Sequence, residues 1–178
     1  DNAGLAIRDK FNLILGTMLF ESGDFERAKR SLDRVRLEGP FSNQALLRAG
    51  WAEATAQQYD RALVPWNILE EREPRDAAVQ EAMLAVPHAY SSLNLHGRAA
   101  ILYGRALELY SKQIDKVDAS IGSIRQGRFL DALIREESRE DQTWVISLRN
   151  LPDAPETYYL MELMASHDFQ TALHNYLD

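Results

Sequence analysis

A chain of 178 residues, 46% hydrophobic and 26% charged, has the composition of a folded domain long enough to bury a core. Its net charge of −7, with Lys and Arg scattered among the acids, excludes the clustered positive charge that nucleic acid or an anionic membrane surface demands. With no cysteine it can form no disulfide, thiolate nucleophile or cysteine-ligated metal, and no run of eighteen apolar residues is present to insert into a membrane. Cysteine usage fits cytosol and periplasm equally. The chain opens at Asp1 with no Met and no apolar leader, so a processed product or a piece of a longer protein is expected.

Helical periodicity runs through the whole chain, and no window shows strand alternation. A first helix is expected over about residues 4–22, ending at Ser22-Gly23, where glycine suits a left-handed cap. Asp24 then caps a second helix carrying Phe25, Ala28, Leu32 and Val35 on one face, which Gly39-Pro40 stops. The next pair repeats the plan: Gly16, Ala28 and Pro40 return 34 residues later as Gly50, Ala62 and Pro74.

A third copy arrives three residues late, at Pro87, Tyr90, Ala99, Tyr103 and Ala106. Ala77, Ala78 and Val79 supply the extra turn, with Asp76 as cap. Pro87 stands where the earlier copies have glycine, so a kink is expected there, and Tyr103 is expected in the core beside Trp66. From Leu107 to Ile124 the apolar spacing alternates three and four, which predicts a helix overrunning its repeat, with Gly122 and Gly127 as kink or end points. Beyond lie a short apolar face at Phe129, Leu130, Leu133 and Ile134, and a mixed-charge run over 135–141. One more short helix is expected near Trp144 to Leu151. Asp153 to Glu156 opens a fourth pair, in which Asp168-Phe169 parallels Asp24-Phe25. The chain closes inside that pair without a polar capping helix, so it reads as a fragment of a longer array or as one whose end a partner covers.

These phased positions resemble the tetratricopeptide repeat, whose pattern runs W-x2-L-G-x2-Y, A-x3-F, P. The first copy reads Asn12, Leu15, Gly16, Leu19, Ala28, Leu32, Pro40 and the second Leu46, Ala49, Gly50, Glu53, Ala62, Trp66, Pro74. The stretches Arg34–Phe41, Ala62–Trp66 and Leu151–Thr157 look like a family of long proteobacterial repeat proteins that are usually exported. The resemblance implies an all-α superhelix of helix hairpins and a bacterial periplasm or envelope setting. Its expected divisions are residues 1–110, with repeats at about 9–42, 43–79 and 80–113, an irregular helical insertion at 111–151, and a truncated fourth hairpin at 152–178.

Catalytic patterns are missing: no phosphate loop, no His-Glu-x-x-His and no nucleophile elbow. Glu21-Ser22 matches the Glu-Ser pair of lytic transglycosylases without their other motifs and reads as a helix end. His167 and His174 lack an acidic third ligand at metal spacing, so no metal and no cofactor is expected. By the resemblance, the first helix of each pair lines a concave groove. That implies partner contacts at Leu13 and Phe20, then Leu47, Arg48 and Trp51, then Leu84 and His88, with the three leucines as an apolar ladder. The groove reading requires Trp51 to be removable without loss of stability. Chaperone-type carboxylate clamps are excluded, because Leu13, Thr17 and Arg48 occupy their places. The expectation is a non-catalytic module that binds a protein or peptide partner. The alternative is a structural spacer or homodimerisation module whose groove its own helices fill, pairing through its terminal helices.

Overall fold

The computed structural model describes residues 2–127, 157–164 and 166–177. All regular structure among them is α-helical. The elements are α1 (Asn2–Glu21), α2 (Phe25–Leu32), α3 (Ser42–Thr55), α4 (Tyr59–Glu70), α5 (Ala77–Ser92), α6 (His96–Arg125), α7 (Thr157–Met164) and α8 (His167–Leu177). The chain divides into two compact units, Asp1–Glu108 and Leu109–Asp178. The apolar face at Phe129–Ile134, the charge run, the helix near Trp144 and the cap at Asp153 all lie outside the described residues.

In the first unit consecutive helices turn back on one another through one recurring device. At the end of α1, the Asp24 N–H bonds the Leu19 carbonyl and the Gly23 N–H bonds the Phe20 carbonyl, with Gly23 at φ +81°. Those two bonds return as Gln58 to Glu53 and Gln57 to Ala54, and again as Leu95 to Tyr90 and Asn94 to Ser91. Gln57 and Asn94 hold φ +60° and +61°. This is the Schellman closure, in which a left-handed residue satisfies carbonyls that the helix end would orphan. The left-handed residues fall at 23, 57 and 94, so the structure shows the period of 34 followed by the slip of three. Asp24 then caps α2 by accepting the Arg27 N–H at 3.1 Å, and Asp76 caps α5 by accepting the Ala78 N–H at 2.8 Å.

Within each of the first two hairpins a glycine admits a large side chain. A Cβ at Gly16 would sit 2.6 Å from Leu32 Cγ, and one at Gly50 would run into the Trp66 indole. Trp66 is fully buried and its Nε1 donates to the Leu47 carbonyl at 3.2 Å, so the buried indole N–H is satisfied. Hairpin then packs on hairpin: Leu13, Leu32 and Val35 cluster with Ala45 and Ala49 of α3. Helix α2 ends at Leu32, earlier than expected, yet Val35 in the following turn is still buried.

The third pair departs from this interlock. Helix α5 runs unbroken from Ala77 to Ser92 through Pro87, whose ring is fully buried at the glycine's position. With that space filled, Tyr103 is 42% exposed, where Leu32 and Trp66 are enclosed. Across this pair Arg98 stacks over the Tyr90 ring at 4.2 Å. Partial burial of the Glu70 carboxyl on α4 raises its pKa against the opposing pull of Arg105 and Arg98. Helix α6 extends for 30 residues, so the expected overrun is present. In the second unit the Tyr159 hydroxyl donates to Gln113 at 3.4 Å. Helix α8 starts at His167, with Ser166 Oγ accepting the Phe169 N–H; the cap is Ser166, and Asp168 lies in the first turn.

Two pairs of substitutions test these devices by urea unfolding. Gly50→Ala should destabilise, since overpacking costs roughly 1–3 kcal/mol and exceeds a helix-propensity gain of at most about 1 kcal/mol. Gly104→Ala, whose Cβ would meet nothing within 4 Å, should stabilise. Gln57→Gly should stabilise by roughly 0.5–1 kcal/mol, while Gly23→Ala should cost about 1–2 kcal/mol.

Candidate functional site

Helices α3 and α5 enclose a recess of about 390 Å³ lined by Gln44, Leu47, Arg48 and Trp51 on one side and Asp76 to Ala78 with Glu81 on the other. Leu47, Arg48 and Trp51 reach it together because they follow one another on the same turn of α3. Trp51 is half-buried there. Its ring meets Trp66 edge-on at 5.0 Å, and its Nε1 donates to Glu81 Oε1 at 2.7 Å. That bond ties the second hairpin to the third. Arg48 makes no ion pair among the described residues, so its guanidinium stands available at the rim.

The other expected contacts are not gathered here. Leu13 is buried with Leu32, Val35, Ala45 and Ala49, so the apolar ladder does not form one open surface. The reason is the stacking: the following hairpin lands on Leu13, and α5 closes part of Leu47, while Leu84 in the last pair stays exposed. Phe20 packs edge-on against Phe25 across its own hairpin, with centroids 5.4 Å apart. The exposed ring of His88 lies 6.0 Å from that of Tyr59. Trp51, expected as a free anchor, is a tie between hairpins.

A larger groove lies elsewhere. Helices α2 and α4 flank about 590 Å³ of open space floored by α3, with Leu32, Val35, Ala49, Val64 and Ile68 among its apolar walls. Val64 and Leu37 expose most of their surface at its edges. Lys29 is occupied by Asp33 and Glu53, whereas Arg61 makes no ion pair among the described residues. The sequence signal for this groove was the apolar Val64 at an outward position of α4, and apolar residues alone do not say which side of a helix remains open.

A polar lock also escaped the sequence. Asp9, fully buried in α1, accepts from Arg36 Nε at 2.6 Å in the loop before α3, and Gly39 leaves room for the carboxylate. One repeat later Arg72 donates to Asn43 and Ser42 and to the Leu37 carbonyl. Each lock fastens the first helix of a hairpin to the loop that follows that hairpin.

Among the described residues no group of three His, Asp or Glu side chains is placed to hold a metal, and no helix is long and apolar enough to cross a membrane. The His174 side chain lies outside the described residues. Comparison with protein-family models, curated proteins and solved structures finds no match for the chain.

Because Trp51 bridges α3, α4 and α5, Trp51→Ala should lower stability by roughly 2–4 kcal/mol in urea titrations. Trp51→Phe keeps the ring contact but removes the donor to Glu81, and should cost about 1 kcal/mol.

Proposed function

We propose that this chain is a non-catalytic protein-interaction module of the tetratricopeptide kind, taking a peptide or helix of a partner protein onto its helical surface. The observation that carries this reading is the threefold recurrence of one hairpin closure at residues 23, 57 and 94. A stack of like hairpins presents extended grooves, and its use is recognition by surface. On the resemblance alone, the proposal extends to a superhelical array within a larger bacterial envelope protein.

The groove between α2 and α4 is the better receptor surface of the two. It is larger than the recess and mostly apolar in its walls, and Arg61 at its rim makes no ion pair among the described residues. A partner segment with two or three apolar anchors and an acidic residue would satisfy both features. The recess at Leu47, Arg48 and Trp51 is the second reading, favoured by Arg48, which makes no ion pair among the described residues.

A displayed peptide library selected on the immobilised chain tests this. Selected peptides should share apolar anchors with an acid, and Val64→Glu should weaken them at least tenfold while Arg48→Glu leaves them unchanged. The reverse pattern would move the site to the recess. Failure to enrich any sequence would favour the spacer reading.

A further inference from the structure

Nothing in the local sequence ends α2 where it ends. Asp33, Arg34, Val35 and Arg36 include no glycine or proline, and the first such stop is Gly39-Pro40. Helix α4 starts at Tyr59, the counterpart of Phe25, and continues for 12 residues to Glu70, whereas α2 stops after 8 at Leu32. The backbone bonds show where the helix is given up. Asp33 still donates its N–H to the Lys29 carbonyl in the helical manner, but the Arg34 N–H turns to Ser31 and the Val35 N–H to Leu32, at 3.0 Å. The Leu32 carbonyl is the acceptor that an unbroken helix would offer to Arg36. Arg36 instead directs its N–H to Asp9 Oδ1, 3.4 Å away, and its Nε to Asp9 Oδ2 at 2.6 Å.

The Asp9 side chain is fully enclosed, and a carboxylate buried there without a cation or hydrogen bonds would be costly. Arg36 supplies both, and Gly39 leaves room for Oδ2. The second hairpin makes the same grip later in its sequence. Asn43, the counterpart of Asp9, is met by Arg72, thirteen residues beyond Tyr59, and α4 keeps its last turn. Arg36 lies only eleven residues beyond Phe25, so its backbone must leave the helix sooner to reach α1. Arg72 then fixes the neighbouring residue, donating to the Leu37 carbonyl at 2.9 Å. Arg36 and Leu37 are thus held by α1 and by the loop after α4.

We propose that Asp9 is a positioning residue for the groove between α2 and α4: by drawing Arg36 out of the helix, it fixes Val35 and Leu37 as part of the groove's wall. The inference rests on the reading of that groove as the receptor surface. Leu32, Asp33, Val35 and Leu37 all line the space, whereas Asp9 does not. One more turn of α2 would carry residues 33–36 along the helix axis and take Leu37 from the edge. The shape of the groove is therefore set from α1, by a side chain that no occupant touches. Holding the wall in advance spares an incoming segment the entropy of ordering it.

The test replaces the ion pair by an apolar one, Asp9→Leu with Arg36→Leu, a change that buried pairs often tolerate without loss of the fold. Leucine and arginine have nearly equal helix propensity, so helix gained at 33–36 comes from releasing the lock. Backbone NMR shifts should place residues 33–36 outside the helix in the wild type and inside it in the double variant. Peptides selected on the wild type and weakened by Val64→Glu should bind the double variant roughly tenfold less tightly. If that variant does not fold, Asp9→Met with Arg36→Met takes its place, and the wild type supplies a second measurement. Its Arg36 Nε–H should exchange slowly with water, as a proton held against a buried carboxylate does. Rapid exchange in the folded wild type overturns the proposal. So do unchanged shifts at 33–36 in a folded double variant, or helical shifts there with peptide affinity intact. A library that enriches nothing on the wild type removes the receptor reading instead, and the shifts alone then decide whether Asp9 sets the wall.

Discussion

Two helices can lie this close in a hairpin only where one of them gives up a side chain. Gly16 yields to Leu32 and Gly50 to Trp66, and the small-to-large exchange sets the distance at which each pair packs. The αL closure at Gly23, Gln57 and Asn94 is a separate device, since a short connection must reverse the chain without orphaning its carbonyls. The buried indole of Trp66 shows how tightly the exchange is held: its N–H reaches the Leu47 carbonyl, and Trp51 leans on its ring from the recess side.

Once hairpins have that thickness, the next layer is constrained in turn. Alanine rows on α3 and α5 let successive hairpins settle on one another, with Leu13 enclosed between the first two. The Asp9–Arg36 and Asn43–Arg72 locks hold the connecting loops against the first helices of their hairpins. Buried charge is tolerated at Asp9 because the guanidinium and a backbone N–H both meet the carboxylate. Where the exchange fails, at Pro87, the structure opens. Tyr103 is 42% exposed and α6 runs on for 30 residues.

Much of this was legible because its causes are local. Asp24 and Asp76 announce helix starts through hydrogen bonds spanning two or three residues, and Ala77 to Val79 mark the slip within a single turn. The period itself is visible because the same steric exchange must be met in each hairpin by similar residues. Gln57 and Asn94 were less legible as left-handed positions, since neither is the glycine that such a conformation favours.

The site was read less well, and Leu13, Leu47 and Leu84 show why. They are equivalent in sequence, yet one is buried, one half-buried and one open, because exposure depends on which side chains of other helices pack against each. Trp51 looks like an anchor until Glu81, thirty residues away, takes its N–H. The sequence by itself determined the helices, their turns and their repetition, all of which arise from contacts within a residue's own turn or its partner helix. Only the tertiary structure decided which faces remain open, because an apolar side chain has the same chemistry whether its neighbour is a helix or water.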